Sequence, residues 1–313
     1  MTVDEPDKTG YNRQDRTDRR FCGPEKGNPM RDTLRLAGAP VAKALADWID
    51  ARMVELSERD IVPGLGILQI GDAPDDMAYE RMAIKKCDQF GLTHRIQVLA
   101  PDCAFREFRE VFDSLNNDDR IDGILILGAF PGAEHQNYVQ SHIVHRKDID
   151  AIGHESIARL YSSTPDAVAP CTVEAVLELL DHYQLDVKGK RVCVLGRSLV
   201  IGRPLALALV NRSATVQICH SRTADLASET LRADYVFCSI GKARMLGTDH
   251  IGEGATVIDV GINYDETGKM CGDADYEALQ GHAAAVTPVP GGVGAVTNTV
   301  LIKHIIASAM KRS

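Results

Sequence analysis

The stretch that decides the fold is Arg191-Val192-Cys193-Val194-Leu195-Gly196-Arg197-Ser198-Leu199-Val200-Ile201-Gly202-Arg203-Pro204. Val192 to Leu195 has the short, continuous apolar character of a buried strand. Gly196 supplies a turn, and a helix is expected over about 201–211. Strand, glycine turn and helix start are the parts of a nucleotide-binding half, although the spacing is not the strict G-x-G-x-x-G fingerprint. Gly196 and Gly202 suit the tight turn and the close helix–strand approach. With Arg197 and Ser198, they form a candidate phosphate cradle at a helix N-terminus.

The next strand, Thr215–Cys219, sharpens the reading. Folds that prefer NAD place a carboxylate about 20 residues on, where it holds the ribose 2′-hydroxyl. Here the strand ends in Cys219-His220-Ser221-Arg222-Thr223, with no carboxylate. Arg197, Ser221 and Arg222 are therefore candidates for a 2′-phosphate, which favours NADP over NAD; the alternative for the arginines is solvated loop charge.

Working outward, strands are expected at Tyr235–Ile240 and Thr256–Val260, and a helix at Thr172–Tyr183. A first series begins at Leu34. It comprises a helix over about 39–58, a strand at Gly64–Ile70 and a helix over about 76–90. A strand at Arg95–Leu99, a helix over 104–116 and a strand at Ile121–Leu127 follow. Apolar strands alternating with helices imply parallel sheets covered on both faces, so the fold class is α/β in two domains. Pro288-Val289-Pro290-Gly291-Gly292-Val293-Gly294 then opens a last apolar helix, Ala295–Met310. Three glycines and two prolines let backbone approach a ligand, and free N–H groups at the helix start suit an anion.

The chain has 313 residues, 44% of them hydrophobic and 25% charged, and a formal net charge of −9. Such a balance argues against nucleic acid or an anionic membrane as the main partner. No apolar run reaches the roughly 20 residues of a membrane span, and the N-terminus lacks a signal-peptide core. The eight cysteines form no C-x-x-C pair and several lie in apolar runs. They read as mostly buried thiols of a reducing cytoplasm, with no metal site. Residues 1–30 have almost no aliphatic side chains and read as a disordered tail.

Several segments together resemble one family, the bifunctional methylenetetrahydrofolate dehydrogenase/cyclohydrolases (FolD type). They are Gly71-Asp72-Ala73-Pro74 with Tyr79, Lys147-Asp148-Ile149-Asp150, Pro170-Cys171-Thr172, and the stretches 196–204 and 219–221. Val257-Ile258-Asp259-Val260-Gly261-Ile262-Asn263 and Thr287 to Gly294 complete the set. The resemblance covers roughly residues 35–312. It implies a folate-binding domain (31–168 plus 293–313) and an NAD(P)-binding Rossmann domain (169–292), with a cleft between them and usually a homodimer. It also implies oxidation of 5,10-methylenetetrahydrofolate by hydride transfer, then hydrolysis of the methenyl product. Tyr79 and Asp150 would orient the pterin, Ile262 would face the cofactor, and Pro290, Gly291 and Gly292 would close on the substrate. Read without the resemblance, Tyr79 is a half-core tyrosine and Asp150 a helix cap.

Three positions depart from the family pattern. Four residues after Tyr79 the family carries a lysine, where this chain has Ala83. The family's supporting glutamine is Leu127, which would instead wall the substrate pocket. The glycine after the aspartate is Ala151. Losing a positioned acid/base group removes on the order of 10²–10⁴ in rate, whereas hydride transfer relies mainly on the cofactor and on orientation. Dehydrogenase activity is thus expected to survive and cyclohydrolase activity to be reduced or absent. Lys86, three residues on and on nearly the same helix face, is a candidate to reach back into the site; otherwise Lys85 and Lys86 are surface charges. Two rival readings are a silent folate- or nucleotide-binding paralogue and a dehydrogenase for another pterin carrier.

Overall fold

The computed structural model describes residues 32–312, so the expected tail at 1–30 and Cys22 lie outside the described residues. Among these, β1 (Leu34–Arg35) leads into α1 (Gly38–Ser57) and β2 (Gly64–Ile70). Then come α2 (Pro74–Phe90), β3 (Thr93–Leu99), α3 (Phe105–Asn116) and β4 (Gly123–Leu127). Helices α4 (Ala133–His142), α5 (His154–Tyr161) and α6 (Cys171–His182) lead to the second half. That half contains β5 (Arg191–Leu195), α7 (Gly202–Asn211), β6 (Thr215–Cys219), α8 (Leu226–Thr230), β7 (Tyr235–Cys238) and β8 (Thr256–Asp259). A hairpin of β9 (Asn263–Tyr264) and β10 (Met270–Cys271), then β11 (Ala285–Val286) and α9 (Gly294–Ala309), complete the chain.

Strands β3-β2-β4 form one parallel sheet, and β1-β11-β8-β7-β5-β6 form a second, also parallel throughout. β2 is buried along its whole length, as a strand covered on both faces must be. Alternation divides its side chains. Leu68 and Ile70 meet Phe108 and Phe112 of α3, while Leu65 and Ile67 join a cluster containing Ala83, Leu127 and much of α6 and α9. That second cluster also holds Val192, Val194 and Phe237, so one continuous core joins the two sheets.

Two differences from the sequence reading concern the domain ends. The first described strand, Leu34–Arg35, pairs with β11 and extends the second sheet, although the expected boundary assigned it to the first domain. Its two residues carry no strand signal of their own; their partner makes them a strand. α4 and α5 were not anticipated, because both are largely polar. No helix among the described residues is long and apolar enough to cross a membrane. Seven cysteines (87, 103, 171, 193, 219, 238 and 271) are free and buried.

Candidate active site

Parallel sheets present ligands at the carboxyl ends of their strands, at the point where strand order reverses. In the larger sheet β5 lies between β6 and β7, so the reversal falls at the end of β5. Gly196 follows at once with φ 116°, a region that L side chains rarely adopt, and a Cβ there would lie 2.6 Å from the Ser239 carbonyl. A Cβ on Gly202 would collide with the Gly196 carbonyl, which lets α7 start directly against the turn. The Ser198 hydroxyl accepts the Ile201 and Gly202 N–H groups at 3.1 and 3.2 Å, and Arg203 Nε donates to the Arg197 carbonyl at 3.1 Å. Ser198 therefore shapes the turn from within.

The turn after β6 lies alongside, since the Gly196 N–H donates to the Cys219 carbonyl. His220 N–H donates to Thr223 Oγ1 and Arg222 N–H to His220 Nδ1, which fixes the loop backbone. Arg197, Ser221 and Arg222 are exposed, and neither guanidinium forms an ion pair among the described residues. Ile262 is 62% exposed just past β8, an apolar side chain without cover.

The smaller sheet has its own carboxyl-end site. Burial raises the Tyr79 hydroxyl pKa, with further upward pushes from Cys171 and Asp150, which brings these three residues into one neighbourhood. Half-buried Asp150 accepts the Cys171 N–H at 2.7 Å, the first donor of α6. Burial pushes its carboxyl up to about 6, against the lowering effect of that hydrogen bond. Cys171 Sγ and His304 Nδ1 both reach the Ile149 carbonyl, at 3.3 and 2.7 Å, and burial holds the imidazole below its usual range, hence neutral. Glu174 and Glu178 bracket Lys303 beside it. Asp150 thus meets the first N–H of α6, 21 residues on, and not the helix that follows it, since α5 starts after Gly153 without a side-chain cap; it also lies near Tyr79.

The rest of the Lys147–Asp150 motif is structural. Lys147 Nζ is buried and donates to the Asn116 and Asp118 carbonyls at 2.7 and 2.8 Å. Asp148 accepts the Ile152 and Gly153 N–H groups. Ala151 has φ 51°, a left-handed conformation that glycine adopts without strain.

Ala83 is 0% exposed and, like Leu127, part of the continuous apolar core, so neither position carries a polar group. Lys86 does not enter it. Its ammonium donates to Gln89 Oε1 at 3.1 Å and lies 5.7 Å from the centre of the Phe90 ring, which corrects the expectation that it reaches back. Helical spacing gave the face of α2, but Gln89 and Phe90 decide the direction of the stem.

The loop 288–294 also differs from expectation. Ala295 N–H donates to the Gly292 carbonyl and Val296 N–H to Val293, so two early donors of α9 serve the turn itself. A Cβ on Gly292 would lie 2.5 Å from the Pro288 carbonyl, and Gly38 N–H donates to the Gly291 carbonyl at 2.8 Å. Pro288 and Pro290 line a cavity of about 390 Å³ together with Arg35, Arg244, Asp259 and Tyr276. Cys238, Asp259 and Asp273 cluster nearby. Both carboxylates already accept backbone N–H groups, from Gly261 and Ala274 and from Ile240 and Lys242.

One polar residue escaped the sequence reading. Gln69, the only polar side chain of β2, is 3% exposed; its Nε2 donates to the Gly71 carbonyl and its Oε1 has no partner. A single amide in an otherwise apolar strand was the available signal.

The comparisons with known proteins fit this geometry. Residues 36–150 match the tetrahydrofolate dehydrogenase/cyclohydrolase catalytic domain, and 170–313 match the NAD(P)-binding domain of the same family. The bifunctional protein FolD of Clostridium botulinum (strain Langeland) is 41% identical over 281 residues, covering 90% of this chain and 100% of that protein. The crystal structure of the bifunctional enzyme FolD from Campylobacter jejuni superposes with a TM-score of 0.86 at 31% identity, covering 90% of this chain and 100% of the other. That of Trypanosoma brucei FolD, complexed with NADP cofactor and inhibitor, gives 0.84 at 30% identity, with 90% and 99% coverage. With both halves matched, the chain belongs to the tetrahydrofolate dehydrogenase/cyclohydrolase family.

Proposed function

We propose that this protein oxidises 5,10-methylenetetrahydrofolate to the methenyl form with NADP, and has little or no cyclohydrolase activity. The observation that carries the reading is a contrast between the two strand-end sites. The nucleotide turn keeps its glycines and two unpaired arginines, while the positions of the family's lysine and glutamine are Ala83 and Leu127, both buried in the apolar core.

NADP fits the residues present: the cradle at Gly196 and Gly202 leaves no room for Cβ atoms, and Arg197, Ser221 and Arg222 offer donors to a 2′-phosphate. Bound there, the nicotinamide supplies the hydride acceptor. Gly196, Ser198 and Gly202 hold the phosphate turn, and Ile262 offers an apolar wall. Tyr79 and Asp150 orient the pterin, the carboxylate accepting its N–H donors, and Leu127 with the loop at Pro290, Gly291 and Gly292 excludes water. Held neutral, the Tyr79 hydroxyl serves as a hydrogen-bond donor and not as a base. Hydride transfer needs orientation above all, which these groups provide. Hydrolysis needs a group that manages water and protons, and aliphatic carbon does neither.

The proposal includes a homodimer, as the resemblance implies, and a cytoplasmic setting, which seven free buried thiols suit. The two domains are taken to divide near residues 150–170, the gap between the family matches, with β1 lent to the second sheet.

The test is a steady-state assay that follows NADPH formation separately from methenyl hydrolysis. NADP reduction without accelerated hydrolysis is the expected result. Robust hydrolysis overturns the reading of Ala83 and Leu127; absence of NADP reduction overturns the dehydrogenase.

A further inference from the structure

We infer that Gln69 is a substrate-binding residue, its Oε1 accepting a hydrogen bond from an N–H of the reduced pterin ring. The inference rests on the dehydrogenase reading above and deepens it.

β2 offers seven buried side chains or backbone positions, and only Gln69 is polar among them. It lies one residue from the carboxyl end of a parallel strand, where ligands of such sheets bind. Its Nε2 is committed to the Gly71 carbonyl at 3.1 Å, which settles the amide's orientation and leaves Oε1 as the free atom. That atom can only accept. Buried polar groups nearly always have partners; of the ten buried side-chain atoms that lack one among the described residues, Gln69 Oε1 is the one carried by a strand.

Strand alternation aims the amide. Gln69 shares its face with Leu65 and Ile67, whose cluster includes Ala83 and Leu127 and packs against Tyr79. Leu127 is its register partner on β4, so the two side chains stand side by side on that face. Among these apolar neighbours nothing donates to Oε1. A pterin ring, with ring N–H groups and an exocyclic amine, brings donors to the site that Tyr79 and Asp150 define. A glutamine retained only for packing gains nothing from an unpaired acceptor, since leucine fills similar space without it.

The experiment compares wild-type protein, Gln69→Leu and the double variant Gln69→Leu/Leu127→Gln for KM with 5,10-methylenetetrahydrofolate, KM with NADP, and Tm. Gln69→Leu is expected to raise the folate KM about tenfold, leave the NADP KM unchanged and keep or raise the Tm. Moving the amide to the register partner is expected to bring the folate KM back to within about threefold of wild type. An unchanged folate KM in Gln69→Leu overturns the proposal, as does a parallel rise in both KM values with a lower Tm. Should the wild type not reduce NADP, the dehydrogenase reading fails by itself. Equilibrium titration with tetrahydrofolate then judges Gln69 separately: weaker binding by Gln69→Leu upholds it and equal binding overturns it.

Discussion

Asp150 accepts the backbone N–H of Cys171 at 2.7 Å, so one carboxylate both starts α6 and stands beside Tyr79. That hydrogen bond holds the carboxylate in place. The hydrogen bond favours its charged form, burial opposes that, and the balance leaves the group titrating at about 6.

A pH dependence follows. The folded pKa lies above the ordinary carboxylate value near 4, so the folded protein binds the extra proton and Asp150's contribution to stability declines as pH rises from about 4 to 6. Substrate recognition runs the other way, because only the ionised form accepts two pterin donors. The folate KM should rise as pH falls through about 6, and Asp150→Asn should raise it at neutral pH and abolish that limb. Initial-rate measurements between pH 5 and 8 would decide; a flat wild-type profile contradicts the assignment.

Cofactor choice should reside in the unpaired arginines. Charge-assisted hydrogen bonds contribute about 1.5–3 kcal/mol each, so Arg222→Glu should raise the KM for NADP by roughly 10- to 100-fold. The KM for NAD should change little. Comparing both cofactors with the single variant checks this, and equal losses would place Arg222 outside the 2′-phosphate site.

Ala151 tests the backbone beside the site. At φ 51° an alanine carries strain of about 1–2 kcal/mol that glycine avoids. Ala151→Gly should therefore raise stability by about 1 kcal/mol in urea denaturation, with the slope of the transition unchanged.

Lys303 carries two carboxylates. Burial alone would lower its pKa, yet Glu174 and Glu178 raise it, and the salt bridge to Glu174 measures 2.7 Å. Lys303→Met leaves two partly buried carboxylates facing each other without a cation. A loss on the order of 3 kcal/mol is expected at pH 7, read as a fall in the denaturation midpoint; a change below about 0.5 kcal/mol would show the cluster to be solvent-screened.

What the sequence made legible follows a physical rule. Gly64–Ile70, Arg191–Leu195 and Thr215–Cys219 could be read to the residue, because apolar runs bounded by glycine, proline or a change of pattern carry their own signal. Leu34–Arg35 and Ala285–Val286 could not, since two residues become strands only through their neighbours. At the site, the glycine turns were visible as local chemistry, whereas Tyr79 was singled out only by the family resemblance. The fate of Lys86 was not, because rotamer choice depends on Gln89 and Phe90. Nor was Gln69, whose meaning needs the register that sets it against Leu127.

Gly38 meets Gly291 backbone to backbone where two separate passages between the sheets run side by side. A third passage follows β4, by way of Asp150 and α6. With three crossings and a shared apolar interior, neither half can melt without stripping cover from the other. Heating should accordingly give a single calorimetric peak, and a ligand seated on either half should shift that one transition for the entire molecule.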